Sequence, residues 1–242
     1  MDCSYGIDMY YYVYYLFDSS NFTMSYLDII GNEIRNCSND GIYIYYDIYL
    51  YGNSNTTIGR ALVKDNLVDN CSNIGIYIYS YLYNTTGASI ELGNAIITNN
   101  TVSDNGHGIY LDSSSNCTIT FNKIINNTNH GMGDTGLHLT SGSNDSEIYW
   151  NCFIDNDYQA YDDGERNSWH DNYWSDYPVE GGVYNITGSA SSQDIYTLGE
   201  CPLGQQPMQP SALVPAMTPF GIVMLVGLMA LFAVAEIRRR KH

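Results

Sequence analysis

Positively charged residues are scarce in this sequence. Its 242 residues include only 9 Lys or Arg against 26 Asp or Glu, which gives a formal net charge of −17. Four of the nine cations lie together at residues 238–241. Such an acidic surface repels phosphate backbones, and nucleic-acid recognition needs the opposite sign. Nucleic acids are therefore excluded as partners.

Charged residues of either sign are also few, at 14% of the chain, whereas Tyr occurs 24 times and Gly 22 times. Disordered chains are poor in aromatic and β-branched residues and rich in charge. The composition therefore excludes a disordered chain and favours strands over helices.

None of the six cysteines belongs to a Cys-x-x-Cys pair. This spacing argues against a zinc or iron–sulfur site, and we expect no cofactor. Cys3, Cys37 and Cys71 are 34 residues apart and are predicted to stack in the core on successive coils. A disulfide between Cys152 and Cys201 that ties down the end of the domain is one pairing that the sequence leaves open.

The sequence repeats internally. Three consecutive blocks begin with Gly-Ile, and two shorter blocks follow; their first residues are Gly6, Gly41, Gly75, Gly108 and Gly131. Each block ends in Asn-x-apolar-x-Asn or Asp, and the first Asn of this ending recurs at Asn32, Asn66, Asn100, Asn122 and Asn151. Apolar residues that alternate with polar ones are typical of a strand with one buried face. The following Asn and Gly allow a tight bend at positive φ.

Repeats of 22 to 35 residues stack such strands in parallel, with the apolar residues in one core and the Asn side chains in a ladder. We therefore predict an all-β fold, a right-handed single-stranded parallel β-helix, over residues 1–198. Four aromatic residues are predicted to cap its open C-terminal end: Trp169, Tyr173, Trp174 and Tyr177.

A long apolar run lies near the C-terminus. Residues 213–235 contain no charged side chain. This segment is long enough to cross a bilayer as a helix. The cations that follow are expected to stay on the cytoplasmic side. We predict a linker over 199–212, a sorting motif and transmembrane α-helix over 213–237 and a basic cytoplasmic tail over 238–242. The β-helix would then lie outside the cell, with the membrane as a partner.

Two motifs carry a resemblance to known families. The Asn-x-Ile-x-Asn…Gly-Ile unit and the string Asn-Tyr-Trp-Ser-Asp-Tyr at residues 172–177 resemble the PbH1 repeats and terminal coil of archaeal NosD-like β-helix proteins. This resemblance implies a surface or periplasmic protein related to carbohydrate-binding and sugar-hydrolase domains, and the family name implies copper. The acidic loop with which the family often continues is replaced by residues 178–182, so we expect no calcium site there.

The second motif consists of Val214, Pro215 and Pro219, followed by the apolar run and the basic tail. It resembles the VPxxxP-type sorting signal of archaeosortase substrates, which implies an archaeosortase-type processing enzyme as a partner. An ordinary single-pass anchor with prolines at its start is the alternative. Either interpretation predicts a location at the cell surface.

The start of the sequence resembles the middle of a repeat, because residues 3–7 match residues 37–42. No basic and apolar leader of a secretion signal precedes it, although the predicted location requires export. We therefore expect the sequence to be the C-terminal part of a longer protein or to have a misplaced start.

Outward-facing tyrosines are the first candidate for a binding surface. After each Gly-Ile, apolar residues alternate with tyrosines, which predicts outward columns on neighbouring coils, formed by Tyr43, Tyr45, Tyr77, Tyr79 and Tyr110. Aromatic rings beside polar side chains suit sugar stacking and hydrogen bonding. An aromatic ladder that only stabilises the sheet is the alternative.

Two further groups are candidates for chemistry. Asp162, Asp163 and Glu165 form the densest acidic cluster, and glycoside hydrolysis needs two carboxylates; a solvated turn is the alternative. His107 and His130 both precede a repeat glycine and are candidates for binding copper, although two imidazoles lack a third ligand.

The tripeptide Asn-x-Ser/Thr occurs ten times, and in an exported chain it accepts N-linked glycans. The candidates expected in loops or near the cap are Asn21, Asn55, Asn84 and Asn185. Taken together, the sequence predicts a non-catalytic, membrane-anchored surface protein that binds glycans or neighbouring envelope proteins. A β-helix polysaccharide lyase or glycoside hydrolase is the alternative, and a copper-associated protein is the third reading.

Overall fold

A computed structural model shows the fold and describes residues 4–16, 20–85, 87–128 and 133–203. The regular secondary structure of these residues consists of β-strands, and Met1–Gly204 forms one unit. Cys3, His130, Gly131 and the predicted sorting motif and transmembrane helix lie outside the described residues. In the described part of the chain, no helix is long and apolar enough to span a membrane.

Parallel strands stack into three long sheets, and each turn of the chain, here called a coil, contributes one strand to each sheet. The first sheet contains Ile7–Leu16, Ile42–Leu50, Ile74–Asn84, His107–Asp112, Thr135–Leu139 and Tyr158–Asp162. The second sheet contains Leu27–Ile30, Ala61–Lys64, Ala95–Thr98, Thr118–Thr120, Glu147–Tyr149, Ser168–His170, Gln193–Asp194 and Tyr184–Asn185. The third sheet contains Glu33–Arg35, Leu67–Asp69, Thr101–Ser103, Lys123–Ile125, Cys152–Ile154 and Tyr173–Trp174.

The first three coils carry an additional short sheet that the sequence analysis did not predict. We call it the wing sheet; it contains Asn21–Met24, Asn55–Ile58 and Ser89–Leu92. The same three coils also have the longest strands of the first sheet. The longer middles of the first three repeats therefore form this sheet, which broadens the coil at its N-terminal half.

The core follows from alternation along each strand and from the register between coils. Ile42 pairs with Ile76, which pairs with Ile109, and all three are buried. Side chains of successive strand residues point to opposite faces, so the intervening residues point outward. The predicted all-β solenoid of parallel strands is confirmed.

The repeat glycines serve a purpose different from the one predicted. Positive φ does not occur at Gly41, Gly75 or Gly108. A Cβ atom at Gly75 would instead lie 2.7 Å from the carbonyl oxygen of Gly108 in the next coil, and one at Gly108 would lie 2.4 Å from that of Gly136. These positions exclude a side chain because neighbouring coils approach too closely there.

The stack of repeat glycines shows that the fifth repeat begins at a different glycine from the one predicted. Gly136 stacks on Gly108, and Leu137 pairs with Ile109; Gly131, where the repeat was predicted to begin, lies outside the described residues. In the sixth coil the equivalent position is Gln159, whose carbonyl oxygen lies 2.5 Å from a Cβ built on Gly136. Ala160 therefore occupies the apolar position that follows Gln159, in register with Leu137.

Ten of the fifteen positive φ values of non-glycine residues in the described part of the chain fall on residues that flank the short third-sheet strands. One corner of each coil has such residues before the ladder Asn, at Asp65, Asn99, Phe121, Trp150 and Asp171. The other corner has them after the strand, at Asn36, Asn70, Asp104, Asn126 and Asp155. Asn and Asp tolerate this left-handed conformation better than most residues, which explains their recurrence at the second corner.

The predicted asparagine ladder is present, and all of its members after Asn32 are buried. In each step, the backbone N–H and side-chain N–H of one Asn donate to the side-chain oxygen of the next, as Asn66 does to Asn100 at 3.0 Å. The ladder consists of Asn32, Asn66, Asn100, Asn122, Asn151, Asn172 and, at its end, Asp194. It pairs polar groups that would otherwise be unsatisfied inside the coil.

Aromatic residues close the C-terminal end. Trp174 is fully buried, with its ring stacked 4.4 Å from Phe153 and 4.1 Å from Tyr184 between centroids. The antiparallel pair formed by Tyr184–Asn185 and Gln193–Asp194 ends the second sheet. Cys152 and Cys201 form a disulfide, so the pairing that the sequence left open is the one adopted.

Candidate binding surface

The outer side of the first sheet carries aromatic side chains on every coil. Because Ile42, Ile44 and Ile48 point into the core, the residues between them point outward. We call this surface the tyrosine face; it consists of Tyr10, Tyr12, Tyr14, Tyr43, Tyr45, Asp47, Tyr49, Tyr77, Tyr79, Tyr81, Tyr83, Tyr110, Asp112, His138 and Tyr161.

The five tyrosines predicted from the sequence form its centre. Tyr43 stacks on Tyr77 with ring centroids 4.9 Å apart, and Tyr45 stacks on Tyr79 at 5.0 Å. Tyr110 contacts Tyr77 edge-on at 5.4 Å. Because these rings cover one another, they present mainly their edges and hydroxyl groups to solvent.

The hydroxyl groups of the centre keep their protons at neutral pH. Burial, followed by the charges of neighbours, raises the pKa of Tyr43 and Tyr77. Burial and then the charge of Asp47 raise the pKa of Tyr45 to about 12. Each hydroxyl is therefore a neutral donor and acceptor, which suits a ligand with many hydroxyl groups of its own.

The more exposed rings of this face lie toward the N-terminal coils, on residues that were not predicted from the sequence. Tyr10, Tyr12 and Tyr14 are exposed on the first coil, and Tyr81 and Tyr83 are exposed on the third. The run from Tyr10 to Tyr14 contains tyrosines on both faces of one strand, so alternation alone does not identify the outward ones. Register with Tyr45 and Tyr49 would have identified them.

Asp47 is the only outward-facing residue of its strand that is buried, with 6% of its surface exposed. It pairs in register with Tyr12 on one side and Tyr81 on the other. The hydroxyl of Tyr14 donates to its Oδ2, whereas its Oδ1 is buried and accepts no hydrogen bond from the described residues.

His138 replaces tyrosine in the column that runs from Tyr43 to Tyr161. Its ring lies 4.5 Å from that of Tyr110 and 5.0 Å from that of Tyr161. His107 lies nearby, with 6.3 Å between the two imidazole centroids. Burial lowers the pKa of both histidines, so both are neutral at pH 7.

These histidines do not form a complete copper site. The Nδ1 lone pair of His107 accepts the Thr135 backbone N–H at 3.1 Å, and its Nε2 lies 3.9 Å from Asp134 Oδ1. The Nδ1 of His138 is buried and unpartnered among the described residues. No group of three His, Cys, Asp or Glu side chains that could hold a metal occurs in the described part of the chain. The predicted partner His130 lies outside it.

The carboxylates of the acidic cluster, Asp162, Asp163 and Glu165, are all engaged in hydrogen bonds or ion pairs with nearby residues. Asp162 is fully buried and accepts hydrogen bonds from Trp169 Nε1, Ser192 Oγ, Asn167 Nδ2 and the Gly164 N–H. Asp163 accepts two bonds from Ser189, and Glu165 pairs with Arg166 at 3.1 Å. These contacts favour a role in holding the cap onto the last coil.

The four glycosylation candidates are all exposed; Asn185 lies in the cap, whereas the other three lie in strands and not in loops. Asn21 and Asn55 begin neighbouring strands of the wing sheet, and Asn55 Nδ2 donates to Asn21 Oδ1 at 3.2 Å. Asn84 ends the third strand of the first sheet. Asn185 lies in the antiparallel cap pair, where its Oδ1 accepts from Gln193 Nε2 at 2.8 Å.

Fold and surface together define the class: a parallel β-coil whose one broad sheet presents a continuous aromatic and polar face. A family model described as "Periplasmic copper-binding protein (NosD)" matches residues 29–188, or 160 of the 242 residues. The chain belongs to the NosD family. No curated protein and no solved structure matches it. The family description agrees with the predicted location outside the cytoplasm.

Proposed function

We propose that this chain is a non-catalytic binding protein of the cell envelope that holds carbohydrate on its tyrosine face. The observation that carries the proposal is the continuity of this face over the six coils of the first sheet. Phenol edges and neutral hydroxyl groups repeat along it at the spacing of the coils, about 4.8 Å. A polysaccharide is itself a repeating chain of hydroxyl groups, so it can make the same contacts on successive coils.

The negative net charge of the protein indicates which types of carbohydrate it can bind. Because the formal net charge is −17, polymers rich in uronic acids or sulfate are repelled at low ionic strength. Neutral glycans and glycans with amino groups are the expected ligands. Neighbouring envelope proteins that carry such glycans would bind through the same surface.

Binding of purified neutral polysaccharides, followed by isothermal titration, tests the proposal. The double variant Tyr43→Phe/Tyr77→Phe keeps the stacked rings and removes two hydroxyl groups. We expect it to weaken binding by about tenfold, since each hydrogen bond contributes roughly 0.5–1.5 kcal/mol. The matched control is Tyr26→Phe, because Tyr26 is exposed away from this face, beneath the guanidinium of Arg60 at 5.4 Å. Equal affinities of the double variant and the wild type would refute the proposal.

We further propose that residues 213–237 anchor the protein, with processing at the motif of Val214, Pro215 and Pro219. The support is the uncharged run followed by the basic tail. Mass spectrometry of protein from native membranes tests this, because removal of the tail and addition of lipid shift the mass in opposite directions. An intact, unmodified C-terminus would leave a plain membrane anchor and exclude processing.

Copper binding is a second candidate, favoured by the family description and by the proximity of His107 and His138. These two residues supply two imidazoles and no third donor, so the site would need a ligand from outside the described residues, for which His130 is the candidate. Titration with Cu²⁺ tests it: one stoichiometric site lost in His138→Phe would support copper binding. The absence of measurable heat would exclude it.

A further inference from the structure

Asp47 lies at the centre of a cluster of phenol rings on the tyrosine face. Tyr45 and Tyr49 flank it along its own strand, and Tyr12 and Tyr81 pair with it in register from the neighbouring coils. We call this cluster the Asp47 cage; it consists of Asp47 with Tyr12, Tyr14, Tyr45, Tyr49, Tyr79 and Tyr81.

The rings of the cage contact one another on the two sides of Asp47 along its strand. Tyr12 meets Tyr45 edge-on, with ring centroids 5.8 Å apart, and Tyr45 stacks on Tyr79 at 5.0 Å. On the other side, Tyr14 stacks on Tyr49 at 5.0 Å, and Tyr49 lies 5.5 Å from Tyr81. The chain thus surrounds one carboxylate with six aromatic side chains.

The carboxylate is only half satisfied. Tyr14 donates to Oδ2, but Oδ1 is buried without a hydrogen-bond partner among the described residues. The ion pairs that the described Lys and Arg residues make do not include Asp47. A buried carboxylate oxygen without a partner is costly, so this arrangement favours a ligand that brings a positive charge.

The walls of the cage select the kind of cation. Hard metal ions require several oxygen ligands, whereas the cage offers one free carboxylate oxygen beside tyrosine rings, of which Tyr12, Tyr14 and Tyr81 are exposed. Aromatic rings attract ammonium groups through their quadrupoles, and cages of such rings are used to bind quaternary ammonium ligands. We propose that the Asp47 cage binds an alkylated ammonium group, with the charge against Oδ1 and the methyl groups against the rings.

Access is available from the surface. Tyr12 and Tyr81, which pair in register with Asp47, are 54% and 41% exposed, and the proposal requires one of these rings to rotate into solvent when the ligand enters. Tyr46 and Ile48, which flank Asp47 in sequence, point inward and are buried. The proposal does not depend on carbohydrate binding, since the hydroxyl groups of Tyr43 and Tyr77 lie outside the cage.

Choline is the probe, and 3,3-dimethyl-1-butanol is its neutral analogue of the same shape. With the purified chain at constant ionic strength, NMR titration should show saturable binding of choline with shifts of tyrosine ring protons. The neutral analogue should bind at least about tenfold more weakly, which corresponds to roughly 1.4 kcal/mol. Equal binding of the two compounds, or no saturable binding of choline, would overturn the proposal without requiring any variant.

Variants localise the site. Asp47→Asn keeps an acceptor for Tyr14 and removes the charge, so choline binding should weaken at least about tenfold. The matched control is Asp112→Asn, because Asp112 is on the same face but its Oδ1 already accepts from Thr140 and Ser113 at 3.0 and 3.1 Å. This variant should stay within about twofold of the wild type. If Asp47→Asn and Asp112→Asn bind choline with the same affinity as each other, choline is attracted only by the net charge of the protein, and the cage is not its site. Tyr81→Ala provides a second test should Asp47→Asn lose its far-UV spectrum.

Discussion

Replacement of Asn122 by Ala tests whether the asparagine ladder holds the coils together. Asn122 is completely buried, and its side chain takes part in five hydrogen bonds. Its Oδ1 accepts from the backbone and side-chain N–H groups of Asn100 at 3.0 and 2.9 Å. Its Nδ2 donates to Ile97 O, Thr120 O and Asn151 Oδ1 at 2.8, 3.1 and 3.1 Å.

The magnitude follows from this count. A hydrogen bond contributes about 1 kcal/mol net, and a buried group left without a partner costs about 1–3 kcal/mol. Some of the orphaned groups will recover a partner through water that enters the cavity. We therefore expect Asn122→Ala to lower the free energy of unfolding by about 3–5 kcal/mol, a large part of the ~5–15 kcal/mol typical of a folded protein.

Asn126→Gly is the matched control in the same coil. Asn126 is exposed, has a φ of 49° and makes one side-chain hydrogen bond, to Asp104 at 2.5 Å. Glycine adopts this conformation without strain, so the loss should be below about 1 kcal/mol. Urea denaturation should be followed by tryptophan fluorescence and by far-UV circular dichroism, because coincident curves are needed to treat unfolding of a repeat protein as two-state. Equal losses for the two variants, or a loss below about 1 kcal/mol for Asn122→Ala, would refute the ladder argument.

Substitutions at four other positions test separate features. Gly75→Ala places a Cβ 2.5 Å from Val102 Cγ1 and 2.7 Å from Gly108 O, and it should lower the urea midpoint by the equivalent of about 1–3 kcal/mol; an unchanged midpoint would show that the coils can separate. Burial raises the pKa of Asp194, so its contribution to stability is present below pH ~3.9 and is lost as pH rises through the folded pKa. Asp194→Asn should remove this pH dependence in thermal melts while keeping an acceptor for Trp174, whereas Asp194→Ala should cost about 1–3 kcal/mol. His138→Tyr should stabilise the column between Tyr110 and Tyr161. Because burial lowers the pKa of His138, the wild type should lose stability as pH falls below about 6.5. The variant should lose less stability over the same pH range. Cys201→Ser opens a loop of 49 residues and should cost about 2–4 kcal/mol, measured against the wild type with and without reductant; no difference between the oxidised wild type and the variant would exclude a stabilising disulfide.

Much of the coil could be predicted from the sequence because its determinants are local and repeated. Alternation at Ile42, Ile44, Ile76 and Ile78 specifies which face is buried, and the recurring Asn marks one corner. The function of the glycines was predicted wrongly, because a bend and a close approach both require a small residue. Only the distance to the carbonyl of the next coil distinguishes the two.

The binding surface was predictable only where one residue type alternates with another. Tyr43 and Tyr45 alternate with isoleucines, so their outward position could be predicted. Tyr46 is a tyrosine that is buried in the core, which breaks this alternation, so the outward position of Asp47 could not be predicted from it. His138 was missed because Gly131, Gly133 and Gly136 compete for the repeat position. Stacking of Gly136 on Gly108 decides this choice, and such stacking is a contact between distant residues that local pattern does not contain.

The division between inner and outer columns explains why this fold can carry a binding surface at all. Inside, most positions pair with a residue of the same kind in the next coil, as Ile109 does with Leu137 and Asn100 with Asn122. Outside, the same register fixes where side chains lie without fixing their type, and the column that holds Tyr110 accepts His138. Asp47 occurs where the strands are longest and the wing sheet broadens the coil. The buried carboxylate of Asp47 therefore lies where the repeats are longest. The residues added in these longer repeats do not take part in the asparagine ladder, so their type is not fixed by it.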